Sequence, residues 1–123
     1  MADGRPPRPA VISDWASVTS PETGNGYHEI LATPALSFGR FTAQPGHEDS
    51  QAPHTQDELY FVTAGTAELL IDDTHHSMTP GSIAYIPTGT PHRFTNITCA
   101  IEVLVFFAPG PQTSTRHGHA TPL

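Results

Sequence analysis

Lysine is absent from this chain, cysteine and tryptophan each occur once, and no apolar run is long enough to cross a bilayer. Each gap removes a class of function. The fixed cations are Arg5, Arg8, Arg40, Arg93 and Arg116, against twelve Asp and Glu, and the formal net charge is −7. A surface of that sign repels phosphate backbones and anionic headgroups, so neither nucleic acid nor membrane is an expected partner. Cys99 has no second cysteine to pair with. That suits a reducing compartment, and with no apolar stretch near the N-terminus to act as a secretory signal, a cytoplasmic location is expected. What is abundant points elsewhere. Thirteen Pro and ten Gly in 123 residues favour many turns and few long helices. Eight His are also present, and imidazole is the commonest protein ligand for metals.

The length allows one domain with a modest core. Residues 1–9 and 109–123 are rich in Pro and polar types and read as flexible ends around a folded unit over 10–108. Within it, runs of β-branched and aromatic residues alternate with turn signals. Strands are expected over 28–32, 35–43, 58–63, 66–71, 82–86, 92–96 and 101–107. Asp72 to His76 reads as a hairpin turn, and Pro45-Gly46, Pro80-Gly81 and Pro87 to Pro91 as breaks. No stretch carries a convincing helical stripe. The expected class is all-β, an antiparallel sandwich or barrel.

Two separated stretches combine glycines with potential metal ligands. The first holds Gly46, His54, Glu58 and Gly65; the second holds Gly81, Pro87, Gly89, His92 and Asn96. On one straight strand, His54 and Glu58 would lie roughly 13 Å apart, at ~3.3 Å per residue. Two ligands of one cation are only about 3–4 Å apart. The chain must therefore turn at Thr55-Gln56-Asp57 for both to bind. Alternation after Glu58 then sends Tyr60 and Val62 to the pocket side, with Leu59 and Phe61 on the other. In the second stretch, Phe94 and Asn96 are expected to share the face of His92. Side by side, the two hairpins would bring two imidazoles and a carboxylate together, with positions left open for water, substrate or dioxygen. His28, His75, His76, His117 and His119 are expected to be ordinary surface or hydrogen-bonded histidines.

Taken together, these stretches resemble the two motifs of the cupin superfamily. Gly46, position 52, His54, Glu58 and Gly65 keep the spacing of the first motif, and Gly81, Pro87, Gly89, His92 and Asn96 match every fixed place of the second. The resemblance covers about residues 36–108. It implies a single-domain jelly-roll β-barrel with a metal near one mouth, and a homodimer. In one place the chain departs from the pattern. The first His of the family's HXH pair is Ala52 here. Gln51 or Gln56, either of them next to the HXH segment, could supply an amide oxygen instead; water or His47 could also fill the place.

The expected cofactor is one divalent ion, Fe, Zn, Mn or Ni, held by His54, Glu58 and His92 with Gln51 as a further candidate ligand. The expected function is a metalloenzyme acting on a small organic molecule by oxygenase-type or Lewis-acid chemistry such as isomerisation or cyclisation. Tyr60 or Gln56 would orient substrate or pass a proton, though Tyr60 could equally fill the barrel. Arg40 is a candidate anchor for a substrate carboxylate, or else a surface residue between Phe38 and Phe41. Two other readings are open. One is a non-catalytic cupin that binds a metabolite or metal as sensor, carrier or enzyme partner. The other is a metal-free relic, favoured by Ala52.

Overall fold

The computed structural model describes residues 10–12, 14–15, 24–49 and 54–110. Six antiparallel strands account for most of it: β1 Gly26–Ala32, β2 Ser37–Ala43, β3 Asp57–Ile71, β4 Thr74–Met78, β5 Ile83–Ile86 and β6 His92–Ala108. Their order is β1-β2-β6-β3-β4, with β5 also paired to β3. Among the described residues there is no α-helix.

β3 and β6 are long, and each pairs with different neighbours in the two halves of one six-stranded sheet. The first part of β3 pairs with β5 and with the last part of β6, which also pairs with β2. The last part of β3 pairs with β4 and with the start of β6. Between the two parts the β3–β6 register shifts at Val62/Ala64, Ala64/Thr66 and Thr66/Glu68. Such irregularities bend the strands, so that one ribbon can fold over a shared core. Gly65 sits at this bend with φ +83°, and a Cβ there would lie 2.0 Å from the Ala100 carbonyl oxygen. Only glycine tolerates both conditions. The two halves of the sheet meet through aromatic side chains. Phe94, at the start of β6, stacks on Phe41 of β2 at 5.5 Å and on Tyr60 of β3 at 5.4 Å. Leu69, Val62, Ile101, Val103 and Val105 fill the rest of the same core. This is the antiparallel jelly roll of a double-stranded β-helix.

Four expectations are corrected. The runs 58–63 and 66–71 form one strand, as do 92–96 and 101–107, because Gly65 and the segment 97–100 bend the ladder without ending it. The expected turn over 72–76 shrinks to Asp72-Asp73, and β4 starts at Thr74. β4 is an edge strand that buries only Met78, so its sequence is almost all polar and carries no alternation. Asn96 does not share the face of His92. It adopts φ +48°, a left-handed conformation that Asn accepts more readily than most residues. Its side chain is exposed and donates to Glu68 Oε1 at 2.7 Å. Phe94 does lie on the buried face. Pro109 and Gly110, counted above with the tail, are held in place. The Gly110 N–H donates to the Pro34 carbonyl at 3.0 Å, and Gln56 Nε2 donates to the Pro109 carbonyl at 2.9 Å. Residues 1–9 and 111–123 lie outside the described residues.

Candidate metal centre

The alternation that starts β3 positions the first ligand. Glu58, Tyr60 and Val62 are buried, while Leu59 and Phe61 face outward. Glu58 is 1% exposed, which for a carboxylate demands compensation. It has two kinds of partner. Its Oε1 accepts the Tyr60 hydroxyl at 2.8 Å. Its Oε2 lies 2.9 Å from His92 Nε2 and 3.7 Å from His54 Nε2. The ligand atoms of His54, Glu58 and His92 all fall within 4.8 Å of one another. The 2.9 and 3.7 Å separations from Glu58 are of the size found between donors that share one cation.

Two loops bring the histidines in. His54 lies just before β3, in the turn that the spacing argument required. Its carbonyl accepts the Gly89 N–H at 2.9 Å. Asp57 accepts the Thr88 N–H at 2.9 Å and the Thr88 hydroxyl at 2.8 Å. The Pro87-Thr88-Gly89 turn is thus tied to the loop that carries His54. Three residues on, His92 begins β6, with its Nδ1 2.7 Å from the Thr90 carbonyl. A proton on Nδ1, donated to that carbonyl, leaves the Nε2 lone pair facing Glu58. Such backbone contacts fix the tautomer of metal-binding imidazoles.

Electrostatics reinforce the geometry. Burial, the largest single influence on His92, favours its neutral ring. The Glu58 contact, the Thr90 carbonyl and the charges of Glu58 and Asp49 together outweigh it and raise the pKa. The distance of 2.9 Å between His92 Nε2 and Glu58 Oε2 is that of a close ion pair. We therefore read the pair as charge attraction across a shared site. A divalent cation would compete with that ring proton for the same lone pair. Burial, then the negative charge and hydrogen bond of Glu58, push the Tyr60 hydroxyl well above its ordinary range. It stays protonated and acts as a donor to Glu58.

The other candidates sit elsewhere. Gln56 is spent on the Pro109 carbonyl, at the end of β6. Arg40 is buried on the outward face of β2, with Glu102 at 3.6 Å and its guanidinium 4.8 Å over the Trp15 ring. It is not among the groups around Glu58. Gln51, Ala52, His117 and His119 lie outside the described residues. His75 meets Glu68 on the surface, at 3.0 Å. Asp49 was not anticipated. Only 7% exposed, it accepts the Phe94 N–H at 3.0 Å and so straps the loop after β2 to the strand of His92. Burial is the main reason its carboxyl pKa is raised. Nothing in the local sequence marks it, since the contact spans 45 positions.

A cupin domain profile matches residues 39–107. The chain is a cupin. It is 37% identical over 83 residues to the uncharacterised protein SCO3923 of Streptomyces coelicolor, covering 68% of this chain and 79% of that one. It is 35% identical over 75 residues to the protein SchB of Streptomyces halstedii, covering 60% of this chain and 54% of SchB. Among solved structures, a double-stranded β-helix protein from Klebsiella pneumoniae superposes with a TM-score of 0.71 at 22% identity, over 83% of this cupin and 92% of that chain. KdgF from Halomonas gives 0.67 at 19%, over 80% and 89%. The DMSP lyase DddQ from Ruegeria pomeroyi gives 0.60 at 24%, over 68% of this cupin but 42% of its own length. At these identities the structures speak for the fold.

Proposed function

We propose that this cupin is a metal-dependent enzyme for a small organic substrate, with His54 Nε2, Glu58 Oε2 and His92 Nε2 holding one divalent ion. The observation that carries the reading is the burial of all three donors within 4.8 Å of one another. Three protein donors leave coordination positions open, and a metal there supplies either Lewis-acid activation of a bound oxygen or a binding position for dioxygen. The chain's own groups do the rest. Tyr60 keeps Glu58 aimed at the imidazoles, and the Thr90 carbonyl keeps His92 in its ligating tautomer. Phe107, 5.3 Å from the His54 ring, walls off the site on one side. In this reading Gln51, or water at the place of Ala52, supplies a fourth position, and the protein works in the cytoplasm, as a homodimer. Fe suits the oxygenase version, and Zn, Mn or Ni the isomerase or cyclase version.

A non-catalytic cupin that binds a metabolite or metal is the second reading. It draws on the same buried donors and differs only in turnover. Elemental analysis of the purified protein and of His54→Ala and His92→Ala tests the shared premise. We expect near-stoichiometric metal in the parent and loss in both variants; metal retained at full stoichiometry in both would reject the site. With metal bound, oxygen uptake with small organic acids separates the oxygenase version from the others.

A further inference from the structure

β4 and β5 each pair with β3 alone among the described strands, at opposite ends of its length. Their free edges flank a groove of about 410 Å³. That volume lies within the range of small-molecule sites. Its floor is apolar: Leu69, Ile71, Met78 and Ala84 line it, and His76 and Ser82 bring polar groups to it. Leu69 and Met78 belong to the buried core, so the groove reaches down to the core itself. The floor also adjoins the metal centre. Ile71 is the cross-strand partner of His92, and Ala84 is the partner of Tyr60. Directly opposite residues on one sheet face have Cβ atoms about 5 Å apart.

We propose that this groove seats a small, largely apolar organic molecule carrying one hydroxyl or similar polar group. The apolar body rests on Ile71 and Ala84, and His76 meets the polar end. The proposal rests on the metal-enzyme reading above, because it takes the groove as the substrate's way to the triad. An apolar floor with a few polar groups is what such a ligand requires. His76 is exposed on an edge strand, so it can be changed without disturbing the core.

The test uses 1-naphthol as probe, with the full chain loaded in parallel with Zn²⁺ and with Mn²⁺. We expect 1-naphthol to bind both forms, and its proton resonances to broaden only with Mn²⁺, whose unpaired electrons relax nearby nuclei. His76→Trp should fill the mouth of the groove and weaken binding about tenfold or more, the scale of a steric overpacking of 1–3 kcal/mol. Metal content should not change. His75→Trp, on the same strand but on its opposite face beside Glu68, should leave 1-naphthol binding intact. Unchanged affinity in His76→Trp overturns the proposal, and so does binding without Mn²⁺-specific broadening. So does failure of 1-naphthol to bind at millimolar concentration. Protection of the free-edge amides of β4 and β5 from hydrogen exchange in the ligand-free protein would show polypeptide in the groove and would also overturn it. If the parent takes up neither metal, the metal-enzyme reading fails on its own. The groove is then judged by 1-naphthol fluorescence, which supports it if His76→Trp abolishes the signal.

Discussion

β3 carries the same chemical pair twice. Near its start, Glu58 lies 2.9 Å from His92, with both side chains 1% exposed. Near its end, Glu68 lies 3.0 Å from His75, with side chains 39% and 51% exposed. The distances are nearly equal, so burial makes the difference. At the surface, water solvates both groups and competes with their attraction, and such pairs contribute about 0–1 kcal/mol. In the core, neither charge can stand alone, and every lone pair needs a partner. Glu58 accordingly has Tyr60 on one oxygen and two imidazoles on the other. Glu68 has His75 and Asn96 on one oxygen, in the open. A carboxylate and imidazoles make a metal centre only where the fold withdraws them from water and points them at one another.

The largest effect should come from Glu58→Ala. It removes the shared oxygen and leaves two imidazoles facing a hole. We expect metal binding to be lost, and the metal-free protein to lose about 3–5 kcal/mol, the usual cost of breaking a buried pair. Metal analysis and urea unfolding would measure both, and a near-neutral result would remove the distinction between the two ends of β3. Tyr60→Phe should come next. It leaves Glu58 Oε1 without its donor, for about 1–3 kcal/mol. If the hydroxyl orients the ligand, metal affinity should also fall about 10–100-fold; calorimetric titration of metal would show it.

A smaller effect is expected from Asp57, one residue from Glu58 but only half-buried. The Tyr85 hydroxyl first, then the N–H and hydroxyl of Thr88, hold its carboxyl pKa below the ordinary 3.8. Because the folded-state value is depressed, this contribution is complete above the unfolded value and is lost as pH falls through the folded one. Asp57→Asn should therefore reduce stability at neutral pH and show a flatter acid limb below about pH 4. Thermal melts followed by circular dichroism across that range would detect it. The same steep limb in the variant would remove Asp57 as the cause. Smallest of all, Glu68→Ala should change stability by about 1 kcal/mol or less and leave metal content untouched. A loss comparable to that of Glu58→Ala would show that burial is not what separates the pairs.

Much of this was readable from residue order. The turn between His54 and Glu58 followed from ligand spacing alone. The inward set Glu58, Tyr60 and Val62 followed from the period of a strand. Both survive because they are local: they depend on distances along a few residues and on pleat geometry. The errors arose where a local signal has two meanings. Gly65 can end a strand or bend it, and here it bends one against the Ala100 carbonyl. Polar β4 looked like a turn because an edge strand needs only one inward residue. Asn96 left the face of His92 because it sits, left-handed, where the β3–β6 register shifts and strict alternation breaks. Arg40, flanked by two Phe, gave no hint that Trp15 and Glu102 would hold it on the outer side.

Residue order by itself determined the antiparallel class, the net negative surface, and which two imidazoles and which carboxylate could share a cation. Strand period is a short-range property, and the grouping of His92 with His54 and Glu58 came from the spacing of the two motifs that resemble those of cupins. Only the tertiary structure decided that these donors are buried and face one another, that the Tyr60 hydroxyl donates to Glu58, and that Asp49 straps the strand of His92 from 45 positions away. Those outcomes depend on which strands pack across the core, and burial and dielectric environment are set by that packing, not by the neighbouring residues in the chain.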